Sequence, residues 1–199
     1  MSVKKLMINL ERRDDRKQEA LKMGLTNLEF IKAVDGSTLT DKEIVEANTL
    51  SNWRCPFKNR RITKGEYACF MSHKKVWEIV AEGNEGVLVL EDDCRFMDTY
   101  DESVFMNKQA DVVYLGYNEN DPEGVRHYTD DLIIPSHPYN THAYYITPRS
   151  AGHLLRHTRA EDFGIIPVDD WFASLLRSGK ITALATSNTM AKQCPRSIL

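Results

Sequence analysis

The sequence predicts an α/β fold, an open and mainly parallel sheet flanked by helices, on three observations. Short apolar runs rich in strand formers alternate with helical patterns along the 199 residues, the order that builds parallel βαβ units. One of these runs, residues 86–90, is apolar throughout, as in a strand covered on both faces. Acidic or amide side chains stand at the ends of three runs, at Asn9, Asp35 and Glu91-Asp92-Asp93, and ligands of open parallel sheets bind beyond the carboxyl ends of strands.

Residues 3–10 form the first expected strand, followed at once by the charged segment 11–16 and a helical pattern through Met23 that Gly24 stops. A second strand spans 28–34 and ends in the turn pair Asp35-Gly36. After a polar stretch from 50 to 61, Thr63 and Glu66 have capping-box spacing, and Ala68, Met71, Val76, Ile79 and Val80 carry the helix toward Gly83. The buried strand 86–90 comes next and runs into its three acids. Val112 to Leu115 reads as a further strand, whereas 118–131 is polar and turn-rich and reads as a mobile loop. A strand over 141–147 leads into a helix opened by Pro148, and Asp169 or Asp170 opens a last helix that ends before Gly179.

No repeat is present, and residues 1–199 are expected to form one domain with a complete core. A chain of this length buries roughly 70% of the surface that its unfolded form exposes. No stretch approaches the roughly 20 apolar residues of a membrane helix. The apolar run after Lys5 meets Glu11 within five residues, too soon for a secretory leader. Cys55, Cys69, Cys94 and Cys194 are scattered without CxxC spacing, which fits reduced thiols and a cytoplasmic protein. With Lys+Arg 26 against Asp+Glu 29, the net charge of -3 gives no general affinity for nucleic acid. One basic loop, Trp53 to Lys64, carries Arg54, Lys58, Arg60, Arg61 and Lys64 with Trp53 and Phe57 interleaved, and reads either as a solvated loop or as a patch for phosphorylated glycan or nucleic acid.

Alternation along an extended backbone turns Glu91 and Asp93 to one side and Asp92 away. Two carboxylates on one side suit Mg²⁺ or Mn²⁺, which take oxygen ligands together with substrate phosphates; the competing reading is a solvated loop. Tyr139, Tyr144 and Tyr145 are candidates either to stack on a sugar or to pack in the core.

Taken in order, several blocks resemble glycosyltransferase family 25, which includes bacterial lipooligosaccharide galactosyltransferases and procollagen galactosyltransferases. They are residues 8–16 (INLERRDDR), 33–36 (AVDG), 63–73 (TKGEYACFMSH) with Trp77, and 88–93 (LVLEDD). Tyr145-Ile146-Thr147, Pro167-Val168-Asp169, and Gln193 with Ser197-Ile198 resemble the family's closing blocks. The resemblance implies a GT-A-like fold, a single catalytic domain, and transfer of a hexose, galactose foremost, from a UDP-sugar to a glycan hydroxyl with inversion. Lipooligosaccharide or LPS is the acceptor class that it suggests. It also implies Mn²⁺ or Mg²⁺ held by Glu91 and Asp93, in a motif that here begins with Glu rather than Asp.

Carried over residue by residue, the resemblance assigns donor binding to Asn9, Arg13, Asp15 and Arg16, where an Arg fork and helix amides suit a diphosphate. It assigns the same role to Asp35 and Gly36, at the base or ribose, and to Lys64, Glu66, Ser72, His73 and Asp92. Each group has a plainer alternative: a charged, capped helix start for Arg13 to Arg16, an ordinary β-turn for Asp35-Gly36, a capping partner for Glu66 and a packed core imidazole for His73. An inverting transfer needs a carboxylate base for the acceptor hydroxyl, and Asp169 or Asp170 supplies it, the alternative being a helix N-cap. Two other functions stand beside this one: a nucleotide-sugar or glycan-binding module without turnover, and a glycosyltransferase acting on DNA bases or protein.

Overall fold

The computed structural model describes residues 2–49, 51–158 and 164–194, so Ser197-Ile198 lie outside the described residues. Strand β1 (Lys4–Asn9) is followed by α1 (Asp14–Leu21), β2 (Leu28–Lys32), α2 (Asp41–Thr49) and α3 (Lys64–Ala81). Then come β3 (Val87–Glu91), β4 (Cys94–Phe96), α4 (Glu102–Phe105), β5 (Val112–Glu119), β6 (Arg126–His127), β7 (Leu132–Ile134) and β8 (Pro138–Ile146). Helices α5 (Pro148–Arg156) and α6 (Val168–Arg177) and strands β9 (Ala183–Thr186) and β10 (Ala191–Gln193) complete the order.

Eight strands make one sheet in the order β2-β1-β3-β8-β5-β9-β7-β6. Strands β2, β1 and β3 pair in parallel, as do β5 and β9, while β8 and β7 run against their neighbours. The sheet is therefore mainly parallel in strand direction, as the alternation of strands and helices predicts, with two reversed strands interleaved. β1 and β3 lie side by side, so Asn9 and Glu91 leave the sheet at the same end.

Both faces of the sheet are covered. On one, α3 and α6 pack an aromatic cluster in which Trp77 stacks on Trp171 at 5.1 Å and Phe70 meets Trp171 edge-on at 5.3 Å. Met7, Leu88, Leu90 and Phe105 fill the other, all fully buried. Burying large aromatic and aliphatic side chains is worth about 1.5–3 kcal/mol each, and this core fixes the register on which the cleft depends. Lys5, also buried, is neutralised by Glu102 at 2.9 Å.

The capping box at Thr63 is present. Its hydroxyl accepts from Glu66 N and the Glu66 carboxylate accepts from Thr63 N. Segment 118–131 differs from the expected mobile loop. Strand β5 continues to Glu119, whose carboxylate accepts from the backbone N–H groups of Asp121, Ser136 and His137 at 2.9, 3.0 and 2.7 Å. Helix α6 starts at Val168 behind Pro167, and no side chain caps it. Asp169 and Asp170 therefore stand in its first turn rather than at its N-cap.

Candidate active site

Two cavities open at the carboxyl ends of β1, β2 and β3 and share Gly65, Cys69 and Glu91 as a common wall. The first, about 470 Å³, is lined by Arg12, Arg13, Arg16, Asp35, Gly36, Ser72, His73 and the acids Glu91, Asp92 and Asp93. The second, about 650 Å³, is lined by Arg60, Glu66, Asn140, Thr141, Asp169 and Gln193.

The three acids do not alternate as an extended chain would. Strand β3 ends at Glu91, and the turn through Asp92 and Asp93 brings all three carboxylates to the first cavity. Asp92, expected to point away, instead accepts from Arg16 Nη1 at 2.6 Å and from Asn9 Nδ2 at 2.9 Å. Arg16 also stands 3.7 Å from Asp93. Asp93 Oδ2 accepts from Gln193 Nε2 at 3.2 Å, a contact delivered by the pairing of β10 with β4. Its Oδ1 is buried with no hydrogen-bond partner among the described residues. Burial, with Glu91 close by, pushes the Asp93 carboxyl up to about 6.

Glu91 is held differently. Its Oε1 accepts from Thr141 Oγ1 at 3.0 Å and lies 3.3 Å from His73 Nε2. Burial would raise its pKa, but the His73 and Thr141 contacts outweigh burial and hold it low. The other nitrogen of His73 meets Tyr144 Oη at 2.8 Å, and that oxygen accepts from Trp77 Nε1, also at 2.8 Å. His73 is thus both buried in the core and part of the cavity wall. Cys69, His73 and Glu91 place one ligand atom each within 4.8 Å of one another.

Asp35 caps the turn after β2, accepting from Ser37 N at 2.9 Å, and pairs with Arg12 Nε at 2.7 Å. Arg12 is the first cause that holds its carboxyl down, at about 2. Gly36 is a close-approach position, because a Cβ there would stand 2.9 Å from the Lys64 carbonyl oxygen. Ser72 ties α3 to the end of β2 by accepting from Val34 N at 2.9 Å.

In the second cavity, burial first and then the charge of Glu91 push the Asp169 carboxyl up to about 7. Its Oδ1 is buried without a hydrogen-bond partner among the described residues. Asp170, by contrast, accepts the phenolic hydrogen of Tyr139 and lines neither cavity.

The structure therefore gathers Arg13, Arg16, Asp35, Gly36, Ser72, His73, Glu91, Asp92 and Asp93 around the first cavity. Asn9 supports that set through Asp92, and Asp15 does so through its two bonds from Arg13 at 2.8 and 2.7 Å. Glu66 lines the second cavity, gripped by both terminal nitrogens of Arg60 at 2.7 and 2.8 Å. Lys64 turns to Leu39 O and Asp41, outside both cavities. Tyr144 and Tyr145 are buried in the core, which removes them as stacking platforms. Within the basic stretch, Arg54 binds Asn59 O and Arg61 binds Ser51 O, while Phe57 is 91% exposed. Arg12 and Thr141 were not singled out from sequence. The Arg12-Arg13 pair carried a signal for the first, and nothing local marks Thr141.

The family model described as "Glycosyltransferase family 25 (LPS biosynthesis protein)" matches residues 2–172. A glycosyltransferase 25 family member of Aedes aegypti is 34% identical over 187 residues, which cover 83% of this chain and 29% of that protein. Procollagen galactosyltransferase 2 of Homo sapiens is 31% identical over 186 residues, 83% of this chain and 29% of that one. The human protein named inactive glycosyltransferase 25 family member 3 is 32% identical over 182 residues, again 83% of this chain and 30% of the relative. The chain thus spans about three-tenths of the length of these curated relatives. Among solved structures, the galactosyltransferase LgtC in complex with donor and acceptor sugar analogs covers 87% of this chain and 70% of its own, at TM-score 0.45 and 12% identity, a likeness too distant to carry function. No helix among the described residues is long and apolar enough to cross a membrane. The match over residues 2–172 and the similarity over 83% of the chain lead to one conclusion: the chain belongs to glycosyltransferase family 25.

Proposed function

We propose that the protein transfers a hexose, galactose foremost, from a UDP-sugar to a glycan hydroxyl, with inversion and with the help of a divalent cation. One observation carries the reading: Glu91 is shared by two adjoining cavities, one rich in Arg and acids and the other holding a buried carboxyl at Asp169. The first cavity suits a nucleoside diphosphate. Arg12, Arg13 and Arg16 face it, and charge-assisted bonds from guanidinium to phosphate are among the strongest polar contacts available.

The carboxylates fit a hard cation. They offer oxygen ligands, Asp93 Oδ1 is buried without a partner among the described residues, and burial, followed by the charge of Glu91, raises its carboxyl pKa. Glu91 and Asp93 would hold Mn²⁺ or Mg²⁺, whose positive charge offsets that of a departing diphosphate. Asp169, in the adjoining cavity, is placed to take the proton of an acceptor hydroxyl there. A carboxyl near pH 7 is matched to that work at neutral pH. Inversion requires the acceptor hydroxyl to attack from the face opposite the departing diphosphate, so this reading seats the acceptor in the second cavity and the diphosphate in the first.

Incubation with a panel of UDP-sugars, Mn²⁺ and glycan acceptors tests this. Metal-dependent release of UDP, faster with acceptor than without, is expected; no release with any donor would defeat the proposal. A second reading, donor binding without turnover, is favoured by the similarity to relatives named inactive. It predicts UDP-sugar binding that Asp169→Asn leaves intact and no UDP release in either form. The reading as a transferase on DNA draws no support from the basic stretch, since Arg54, Arg60 and Arg61 are all bonded within the fold.

A further inference from the structure

A second cluster of titratable groups lies at the other end of the sheet. Asp111 and Thr182 precede the parallel strands β5 and β9, at the amino ends of strands that run in the same direction as β1 and β3, whose carboxyl ends form the cleft. There, His153 and His157 stand one turn apart on the last part of α5, and their Nε2 atoms face each other at 3.3 Å. Both side chains are half-buried, within reach of solvent.

The orientation of His153 follows from its partners. His153 Nδ1 lies 2.8 Å from Asp111 Oδ1, and the other Asp111 oxygen accepts from Thr182 N at 2.8 Å and Thr182 Oγ1 at 2.9 Å. With the Asp111 carboxylate on Nδ1, Nε2 is the ring nitrogen that His153 turns toward His157.

That is the arrangement of a metal-binding imidazole, with a carboxylate on the far nitrogen fixing tautomer and ring orientation. The spacing agrees. Two nitrogens bound at about 2.0–2.1 Å to one tetrahedral ion stand about 3.3 Å apart, the separation of the two Nε2 atoms. Histidines at i and i+4 on one helix face are also a recurrent zinc pair.

We propose that His153 and His157 chelate a first-row transition-metal ion of the imidazole-preferring kind, Zn²⁺, Ni²⁺ or Cu²⁺, with Asp111 as the outer partner that orients His153. The remaining coordination positions belong to water. The site is chemically distinct from the carboxylate cleft, because imidazole nitrogens favour these ions over Mg²⁺ and Mn²⁺. By linking two turns of α5 and, through Asp111, the entry to β5 and β9, the ion stabilises that end of the sheet by mass action.

Titration calorimetry with Zn²⁺ tests the proposal on the full chain in a Cys69→Ser background, which silences the Cys69–His73–Glu91 cluster. With excess Mn²⁺ present to occupy the Glu91 and Asp93 carboxylates, one Zn²⁺ should bind and should not be displaced. His157→Ala, a half-exposed change at the helix C-cap that leaves the fold intact, should weaken binding at least tenfold. Asp111→Asn should weaken it about 10- to 100-fold by loosening the orientation of His153. A rise in melting temperature with Zn²⁺ in the background protein, absent from His157→Ala, should accompany binding. An isotherm unchanged by His157→Ala, or Zn²⁺ lost to Mn²⁺ competition, would overturn the proposal, and neither result bears on the transferase cleft.

Discussion

Replacing Asp169 by Asn should make the protein more stable and nearly inactive at once. In the folded state this carboxyl is raised from 3.8 to about 7 by burial and by Glu91. At about 1.4 kcal/mol per pH unit, keeping it ionised costs about 4 kcal/mol. Water reaching Asp169 through the open second cavity lowers the effective figure to about 2 kcal/mol. Because the folded-state pKa lies above the unfolded one, the stability tied to the protonated form is fully present below pH 4 and is lost as pH rises toward 7. Asn carries no charge and suffers no such loss. The melting temperature of Asp169→Asn minus that of the wild type should therefore widen between pH 4.5 and pH 8, by about 4–8 °C for a chain of this size. Transfer should fall about 10²- to 10⁴-fold with the loss of the base. Thermal melts at the two pH values and initial rates on the same preparations make the comparison. A temperature gap that does not widen, or a rate within threefold of wild type, would refute the assignment of Asp169.

Other perturbations follow from the same geometry. The wild-type kcat/KM should rise with pH through about 7 as Asp169 loses its proton, and a rate profile flat from pH 5.5 to 8.5 would contradict it. Asp93→Ala should abolish Mn²⁺-dependent activity while shifting the melting temperature by only a few degrees, since Asp93 makes one long hydrogen bond to Gln193; unfolding would instead show it to be structural. Arg16→Ala should weaken UDP binding about 10- to 100-fold, the worth of a charged hydrogen bond, and calorimetry reads this directly. Gly36→Ala should destabilise by about 1–3 kcal/mol, because its Cβ meets the Lys64 carbonyl oxygen at 2.9 Å, and a denaturant titration with an unchanged midpoint would contradict the close approach.

The parts of the fold carried by strong local signals were legible in the sequence. The uninterrupted apolar run before Glu91, the Thr63–Glu66 capping box and Pro148 at a helix start each specify their element through nearby residues alone. Helix α2 carries a similar local signal. Thr40 N donates to the Glu43 carboxylate at 2.8 Å and Glu43 N to the Thr40 hydroxyl at 3.3 Å, a second capping box in a stretch otherwise too polar to show a clear apolar face. Strands β9 and β10 could not be read in this way. Ala183-Leu-Ala-Thr186 has no strand composition of its own and is extended because β5 and β7 flank it.

The site divides along the same line. Acids at strand ends follow from the apolar runs that precede them, but the turn that swings Asp92 back to Arg16 is a tertiary outcome. The different surroundings of Asp169 and Asp170 are another. They depend on Tyr139, 31 residues away along the chain, occupying one carboxylate and leaving the other to face the cavity.

The central claim is that the Arg-lined cavity holds a nucleoside diphosphate through a cation bound at Glu91 and Asp93. Titration calorimetry of UDP, with Mn²⁺ and with chelator, on the wild type and on Asp93→Asn tests it most directly. The account predicts UDP binding that requires Mn²⁺ in the wild type and is lost in the variant; UDP binding equal with and without Mn²⁺, or undiminished in Asp93→Asn, would contradict it.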